Sequence, residues 1–449
     1  MFKVRIKRKY TRLLTSVLLF MLAGFLYTLS ESEPPLEIPV EDFDIIQYKP
    51  TGEIDFGRLG KALNTFSKYH DLIYQKSQGW YKLFYTYDFE SQMIDQSLFP
   101  WLHTNSVRMR KSFKGNGIVM SVSDNYTEFA LSTLSMIRVV HKCNLPVEIF
   151  YIGDKDLSES SRRRLLKIKN TKLFDLTKIF DNDIIQLYGW DSKPFALLAS
   201  SFRNAMIIDA DTVFLQSPSL LFKDPQFILH RALFFQDRKV YMLDYAGKLW
   251  IETILQDDLS ETAKNYDILN WKSLHQQESG VVLIDKKLRL PGLLAACTLN
   301  MGQVKNTTYD HVHGDKETFW LGFEAVGANY TFNSIGAGVL GLLEHEEEFN
   351  GQPFLDRYQV CNVQILHATP TNGPIWMNGG IAQDKYNTSN HNILSATHFV
   401  NEPGEWQFSS KIKNRACLLT QHIPALLPED ILANIQKSGA VWREVVDNF

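Results

Sequence analysis

Arg203-Asn-Ala-Met-Ile-Ile-Asp-Ala-Asp-Thr-Val-Phe-Leu-Gln-Ser-Pro218 is the stretch on which the reading of this 449-residue chain turns. The apolar run Met206-Ile-Ile208 reads as a strand that ends on Asp209-Ala-Asp211, and a second apolar run, Val213-Phe-Leu215, follows at once. Two acids in that position sit at a buried sheet edge, where charge is costly unless it is paired or bound to metal. Carboxylates one residue apart can grip a hard divalent cation and set it against a diphosphate. The bare D-x-D pattern is a weak signal, since 28 aspartates produce it about twice by chance. It occurs four times here. Asp42/Asp44 falls in a proline-rich acidic stretch, Asp154/Asp156 where a helix N-terminus would use it, and Asp181/Asp183 in a polar loop. Only Asp209/Asp211 lies between apolar runs, with a salt-bridged structural pair as the alternative to a metal site.

Around this stretch the pattern alternates. Strand-like runs lie at Ile118–Ser123, Val147–Ile152, Lys172–Leu176 and Ala205–Ile208. Helical spacing separates them over 126–141, over Leu157–Ile168 with Arg162, Arg163 and Arg164 on its exposed side, and after Ser192-Lys193-Pro194. Alternation of this kind predicts an α/β fold whose mixed, mostly parallel sheet is covered on both faces. In such sheets ligands sit beyond the carboxyl ends of the strands. The 55–114 region is aromatic-rich and partly helical in pattern, and reads as a cap ahead of a main domain over 115–449.

Charge distribution sets an expected topology. The first twelve residues carry six of the 47 basic residues and no acid, which leaves 41 basic against 50 acidic, or −9, for the rest. No broad basic face for nucleic acid is expected. The uncharged run Leu13–Leu29 would span about 26 Å as a helix, close to the ~27 Å core of an early secretory membrane. With all positive charge before the span, 1–12 should be cytoplasmic, 13–29 a single uncleaved signal anchor, 30–54 a stem, and the remainder lumenal. The sequons at Asn125, Asn306, Asn329 and Asn387 are glycosylation candidates on that side. Cys143, Cys297, Cys361 and Cys417 would also be there, where two disulfides are plausible and three pairings stay open.

Three further segments carry chemistry-bearing residues. They are Glu278-Ser-Gly-Val-Val-Leu-Ile-Asp285, Gly314-Asp-Lys-Glu-Thr-Phe-Trp-Leu-Gly-Phe-Glu324 and Leu366-His-Ala-Thr-Pro370, the last with Tyr330-Thr-Phe-Asn333 ahead of it. Together with the D-x-D stretch, over about 115–375, they resemble the fungal Golgi α-mannosyltransferase family that adds α-1,3- and α-1,2-mannose to yeast glycoproteins. The resemblance implies a GT-A-type, Rossmann-like sheet, a GDP-mannose donor, Mn2+ and retention of configuration. It places Asp209 and Asp211 on the metal, with His367, at the end of the strand-like Val363–Leu366, as third ligand. Glu278 and Asp315 become the catalytic candidates, Glu278 in a loop before the strand Val281–Asp285 and Asp315 also as a helix N-cap. Ser123, Lys193, Gly280 and Gly373 become donor contacts, Lys193 alternatively a partner of the D-x-D, and glycosylation of Asn125 would compete with nucleotide contact beside it. A Golgi type II location follows, with mannosylated glycoproteins as acceptors and other Golgi transferases as candidate complex partners. The linkage leans to α-1,3 over α-1,2. Two rivals stand beside it: a glycan-binding scaffold on an inactive transferase fold, and a binuclear hydrolase suggested by His311-Val-His313-Gly-Asp315, which lacks the His that usually follows.

Overall fold

The computed structural model describes Met21 and residues 54–447, apart from 77–86, 242–245, 257–258, 345–347, 350–351, 354–357, 384–391, 402–403 and 409–414. The anchor at 13–29, the stem and the sequon at Asn387 therefore lie outside the described residues, Met21 excepted. Among the described residues no helix is long and apolar enough to cross a membrane.

Seven strands form the central sheet: β1 (Asn116–Ser121), β2 (Val147–Tyr151), β3 (Thr171–Asp175), β4 (Asn204–Ile208), β6 (Ala232–Gln236), β7 (Gln277–Asp285) and β8 (Thr331–Phe332), with the two-residue β5 (Val213–Phe214) leaving it after β4. Their order is β3-β2-β1-β4-β7-β6-β8. β3, β2, β1 and β4 pair in parallel, β7 runs antiparallel to both β4 and β6, and β6 pairs parallel with β8. The expected mixed, mostly parallel sheet is thus present. It is buried on both sides, and successive residues pack in opposite directions. Ile118, Met120, Met206, Ile208, Val281 and Leu283 join one core with the helices Thr127–Val139 and Glu429–Asp447, where Phe129 stacks on Trp442 at 5.3 Å. On the other side Phe234 packs edge-on against Phe323 at 5.3 Å, from the helix Thr318–Ala325.

Several expected boundaries move. The helix forecast over 157–168 covers only Glu159–Leu165, because the side chain of Ser158 caps it by accepting from the Ser161 amide. Its arginines are not all exposed: Arg162 reaches Asp154 at 2.5 Å and Arg164 pairs with Glu128 at 3.1 Å. β7 begins at Gln277, so Glu278-Ser279-Gly280 belongs to the strand and not to a loop before it. The 55–114 region is helical where described, at Phe56–Lys76, Tyr87–Leu98 and Ser106–Ser112, and Arg110 Nε donates to the Lys287 carbonyl at 2.6 Å.

Beyond the sheet, β9 (Val339–Glu344) belongs to a six-stranded antiparallel sheet that also holds Tyr358–Asn362 and Ala416–Thr420. Cys361 and Cys417 face each other across that pairing and form a disulfide, whereas Cys143 and Cys297 are buried free thiols. One bridge exists where two were plausible.

Lys286 secures the helix Ser192–Ala199. Its fully buried ammonium donates to the carbonyls of Leu197, Leu198 and Ser200 and lies 3.8 Å from the Phe113 ring centre. Burial drives its pKa well below the ordinary lysine value, with Glu148 opposing. Carbonyls at a helix C-terminus need such donors. Lys286→Met keeps the volume but strands them, and should cost about 1–3 kcal/mol per lost buried partner. Thermal unfolding should begin at lower temperature in the variant; an unchanged transition would show that water replaces the ammonium.

Candidate functional site

β4 gives out at Ile208, and the next four residues are clamped rather than free. The Asp209 amide donates to the Gly280 carbonyl at 2.9 Å, and Thr212 Oγ1 donates to the same oxygen at 3.0 Å. From the opposite side Thr133 Oγ1 donates to the carbonyls of Ala210 and Thr212 at 2.7 and 2.9 Å. Antiparallel register pairs Ile208 with Val281. The carboxyl end of β4 therefore meets the amino end of β7, and Asp209 lies beside Glu278, Ser279 and Gly280. Gly280 is required by packing: a Cβ there would stand 2.8 Å from Asn378 Nδ2 and 3.1 Å from the Trp376 ring. That close approach is to the strand Gly373–Asn378, a reason the sequence did not disclose.

Two ammonium groups organise the acids, that of Lys193 buried and that of Lys316 half-buried. Lys193, in the first turn of the helix Ser192–Ala199, donates to Asp209 Oδ1 at 3.0 Å and Ser279 Oγ at 2.9 Å, and pairs with Asp315 Oδ2 at 2.9 Å. Lys316 donates to Asp237 Oδ2 at 2.7 Å and to Glu278 Oε2 at 3.3 Å. The other oxygen of Glu278 accepts from the Gly280 amide at 2.8 Å and Asn378 Nδ2 at 2.9 Å. With Arg238, whose Nε lies 3.9 Å from Asp237 Oδ1, the cations Lys193, Lys316 and Arg238 stand against Asp209, Asp211, Asp237, Glu278 and Asp315 and leave a formal −2.

The protonation states follow from this layout. Burial pushes the Asp209 carboxyl up to about 6; Lys193 opposes it, and the charges of Asp211, Asp315 and Glu278 add to it. Burial also works against Glu278, but Lys316 prevails and holds its carboxyl below the usual range. Both lysines lose to burial and regain more from their acids, so each is held above the ordinary lysine value. Burial lowers His367 and His275 to about 4, so both imidazoles are neutral at pH 7.

His367 lies within the strand Ile365–Thr369, not at the end of one as expected. It is wholly buried, stacks on Trp376 at 4.0 Å and meets the Phe235 ring at 5.4 Å. Neither of its ring nitrogens has a hydrogen-bond partner among the described residues. A neutral imidazole with free nitrogens, two adjacent carboxylates and surplus negative charge are a suitable donor set for Mn2+. As they stand, no three His, Cys, Asp or Glu side chains among the described residues form a group ready to hold an ion. Asp209 is engaged by Lys193, although a quarter of its side chain remains exposed.

Other expected residues fall on both sides of the line. Ser123 follows β1, the parallel neighbour of β4, and so opens to the same sheet edge; Ser121 Oγ and Ser192 Oγ, 2.6 Å apart, tie that edge to the helix of Lys193. Asp315 is not an N-cap: Glu317 precedes the helix Thr318–Ala325. Gly373 has φ +64° but open space around its α-carbon, and starts the strand whose other end, Asn378, reaches Glu278. Gly379 and Gly380, both with positive φ, lie nearer the acids, and the Gly380 amide donates to the Asp211 carbonyl at 2.7 Å. Asn125, Asn306 and Asn329 are exposed. The hydrolase pattern comes apart: His311 stacks on Trp250 at 5.4 Å, while His313 lies 5.7 Å from the Trp190 ring.

Sequence reading missed Asp237, Lys316 and Asn378. Asp237 had a usable signal, since it follows Ala232–Gln236 as Asp209 follows β4, an apolar strand ending on an acid. Lys316 sits inside the quoted Gly314–Glu324 segment, but nothing in the segment pairs it with Asp237, 79 residues away.

Comparison with known proteins adds to this geometry. Residues 115–369 match the Mannosyl_trans3 family, described as mannosyltransferases. The α-1,3-mannosyltransferase MNT3 of Saccharomyces cerevisiae is 26% identical over 307 residues, 62% of this chain and 48% of that protein. The α-1,3-mannosyltransferase MNT2 of the same yeast is 26% identical over 316 residues, 63% of this chain and 53% of that protein. The chain spans about half the length of these curated relatives. Among solved structures, core-mannan synthase A (CmsA/Ktr4) from Aspergillus fumigatus in its Mn/GDP form aligns with a TM-score of 0.34 at 13% identity, over 48% of this chain and 72% of that one.

Gly280→Ala should push Asn378 away from Glu278 and destabilise the chain by about 1–3 kcal/mol. A urea midpoint equal to that of the unaltered chain would mean the strand Gly373–Asn378 yields freely and is not held by Glu278.

Proposed function

Because the chain belongs to the Mannosyl_trans3 family of mannosyltransferases, we propose that it moves mannose from GDP-mannose to mannose-terminated glycans of glycoproteins, forming an α-1,3 bond with retention. The observation that carries this reading is the acid-rich edge of a mixed sheet at Asp209 and Asp211, with its formal −2, and the His367 imidazole, whose nitrogens lack hydrogen-bond partners among the described residues, within electrostatic range of Glu278. The α-1,3 preference rests on the names of the relatives. We read the sheet as GT-A type, from four parallel strands followed by an antiparallel β7.

Asp209 and Asp211 would hold Mn2+, with His367 as the imidazole ligand. Bound there, the ion supplies countercharge to the departing diphosphate. The chain's own groups do the rest. Lys193 fixes Asp209 and Asp315 relative to each other. Glu278, ionised and held by three donors, stabilises positive charge at the anomeric carbon of the donor. The oxygen of the acceptor hydroxyl bonds to C1 on the face from which the phosphate oxygen departs, and that phosphate oxygen takes the hydroxyl proton. Glu278 is a poor nucleophile for a double displacement, since both its oxygens are already occupied. Asp315 lies on the acceptor side, and Ser123 with the β1 edge faces the nucleotide.

The cellular setting belongs to the same proposal. A helix at 13–29 anchors the chain in the Golgi membrane as a type II protein, with residues 55–449 in the lumen. The Cys361–Cys417 disulfide supports an oxidising compartment, and the exposed Asn125, Asn306 and Asn329 are accessible to glycosylation.

The test is transfer by the full chain in detergent, with GDP-mannose, a mannoside acceptor and Mn2+. Replacing both Asp209 and Asp211 with Ala should lower the rate by roughly 10³-fold. Undiminished transfer would sink the assignment of these acids, and a product with an α-1,2 bond would correct the linkage. Unaltered chain that binds mannosides without transferring mannose would favour the scaffold reading.

A further inference from the structure

An exposed aromatic side chain becomes informative when it is held on a fixed support beside convergent polar groups. Trp190 is such a case, with 55% of its surface exposed. Its turn is tightly held. The Tyr188 amide donates to both oxygens of Asp191 at 2.8 and 3.0 Å, and Ser192 Oγ donates to the Gly189 carbonyl at 2.6 Å. Asp191 is itself fully buried and paired with Lys305, whose ammonium also donates to the Gln186 carbonyl at 2.7 Å. Tyr188, on the same turn, is 87% exposed.

The indole also touches the site. A Cβ on Gly314 would stand 2.9 Å from its six-membered ring, so only glycine lets the backbone before Asp315 pass so close. His313 lies 5.7 Å from the indole, and His275 lies 5.5 Å from His313. Asp237 and Lys316 are among the charges acting on His275. A line of rings therefore runs from the exposed indole toward the Asp237–Lys316 pair that holds Glu278. An aromatic face beside convergent polar groups is how proteins receive sugars: the C–H face of a pyranose packs on the ring while its hydroxyls meet polar side chains.

We propose that Trp190, with His313 and the backbone of Gly314, forms the subsite that receives the acceptor saccharide, a mannoside, and presents its hydroxyl at the edge where Asp209 and Glu278 meet. The proposal rests on the transferase reading for the identity of the sugar. The rival occupant is the nucleobase of the donor. The indole favours the saccharide because it lies against His313 and Gly314, next to Asp315, which the reading above puts on the acceptor side.

Kinetics of the full chain with GDP-mannose and a mannoside acceptor separate the two. Trp190→Ala should raise KM for the acceptor about tenfold, with a much smaller change in KM for GDP-mannose, and Trp190→Phe should restore most of the loss. Equal acceptor KM in the Ala variant would overturn the subsite, and a rise confined to GDP-mannose would reassign the ring to the nucleobase. Methyl α-mannoside binding, followed by saturation-transfer NMR without donor, keeps this test apart from the functional reading. If the chain transfers no mannose, that reading falls alone; the subsite stands if the mannoside signal weakens in Trp190→Ala and returns in Trp190→Phe, and falls if the unaltered chain shows no signal. Circular dichroism of both variants identifies any loss traceable to misfolding, and the folded Phe variant then decides.

Discussion

A lysine ammonium with 9% of its side chain exposed holds together a sheet edge that would otherwise repel itself. Lys193 reaches Asp209 and Asp315, which come from segments over a hundred residues apart, and steadies Ser279 between them. Buried carboxylates of like charge cannot all stay ionised in a small volume unless cations intervene. Lys316 performs the same service for Asp237 and Glu278. Burial, with the neighbouring acids adding to it and Lys193 opposing it, leaves Asp209 poised near 6, and part of its side chain stays open. The excess of acids over cations makes the edge receptive to a further cation.

The fold serves this arrangement at several levels. Antiparallel β7 beside parallel β4 brings one strand's end to another's beginning, which an all-parallel sheet would not do. Gly280 lets the strand Gly373–Asn378 close down on Glu278. Lys286 ties off the carboxyl end of the helix whose amino end carries Lys193, so the ammonium is delivered from a helix fixed at both ends.

Much of this was visible in the amino-acid order. Apolar runs ending on acids marked β4 and the pair Asp209/Asp211, because a buried strand has to emerge somewhere and its first polar residues mark the edge. The alternation over 117–208 foretold a covered sheet for the same reason. The reading of Glu278 as a loop residue failed because Gln277-Glu-Ser-Gly280 is polar, and a polar sequence at the start of β7 is tolerated only where Lys316, Lys193 and Asn378 wait to pair with it. The reading of Asp315 as an N-cap failed because its partner is the ammonium of Lys193 and not a backbone amide.

The sequence alone determined which apolar runs form the first four strands, the acid pair at the end of β4 and the segments that mark the family, since each rests on local pattern. Tertiary structure decided the pairings: Lys193 with Asp209 and Asp315, Lys316 with Asp237 and Glu278, Trp376 on His367, Cys361 with Cys417 and not another cysteine. Each of these joins groups distant in the chain, and their contact depends on sheet order and register, which no local stretch encodes. The charge on each group depends in turn on how far the finished fold removes it from water.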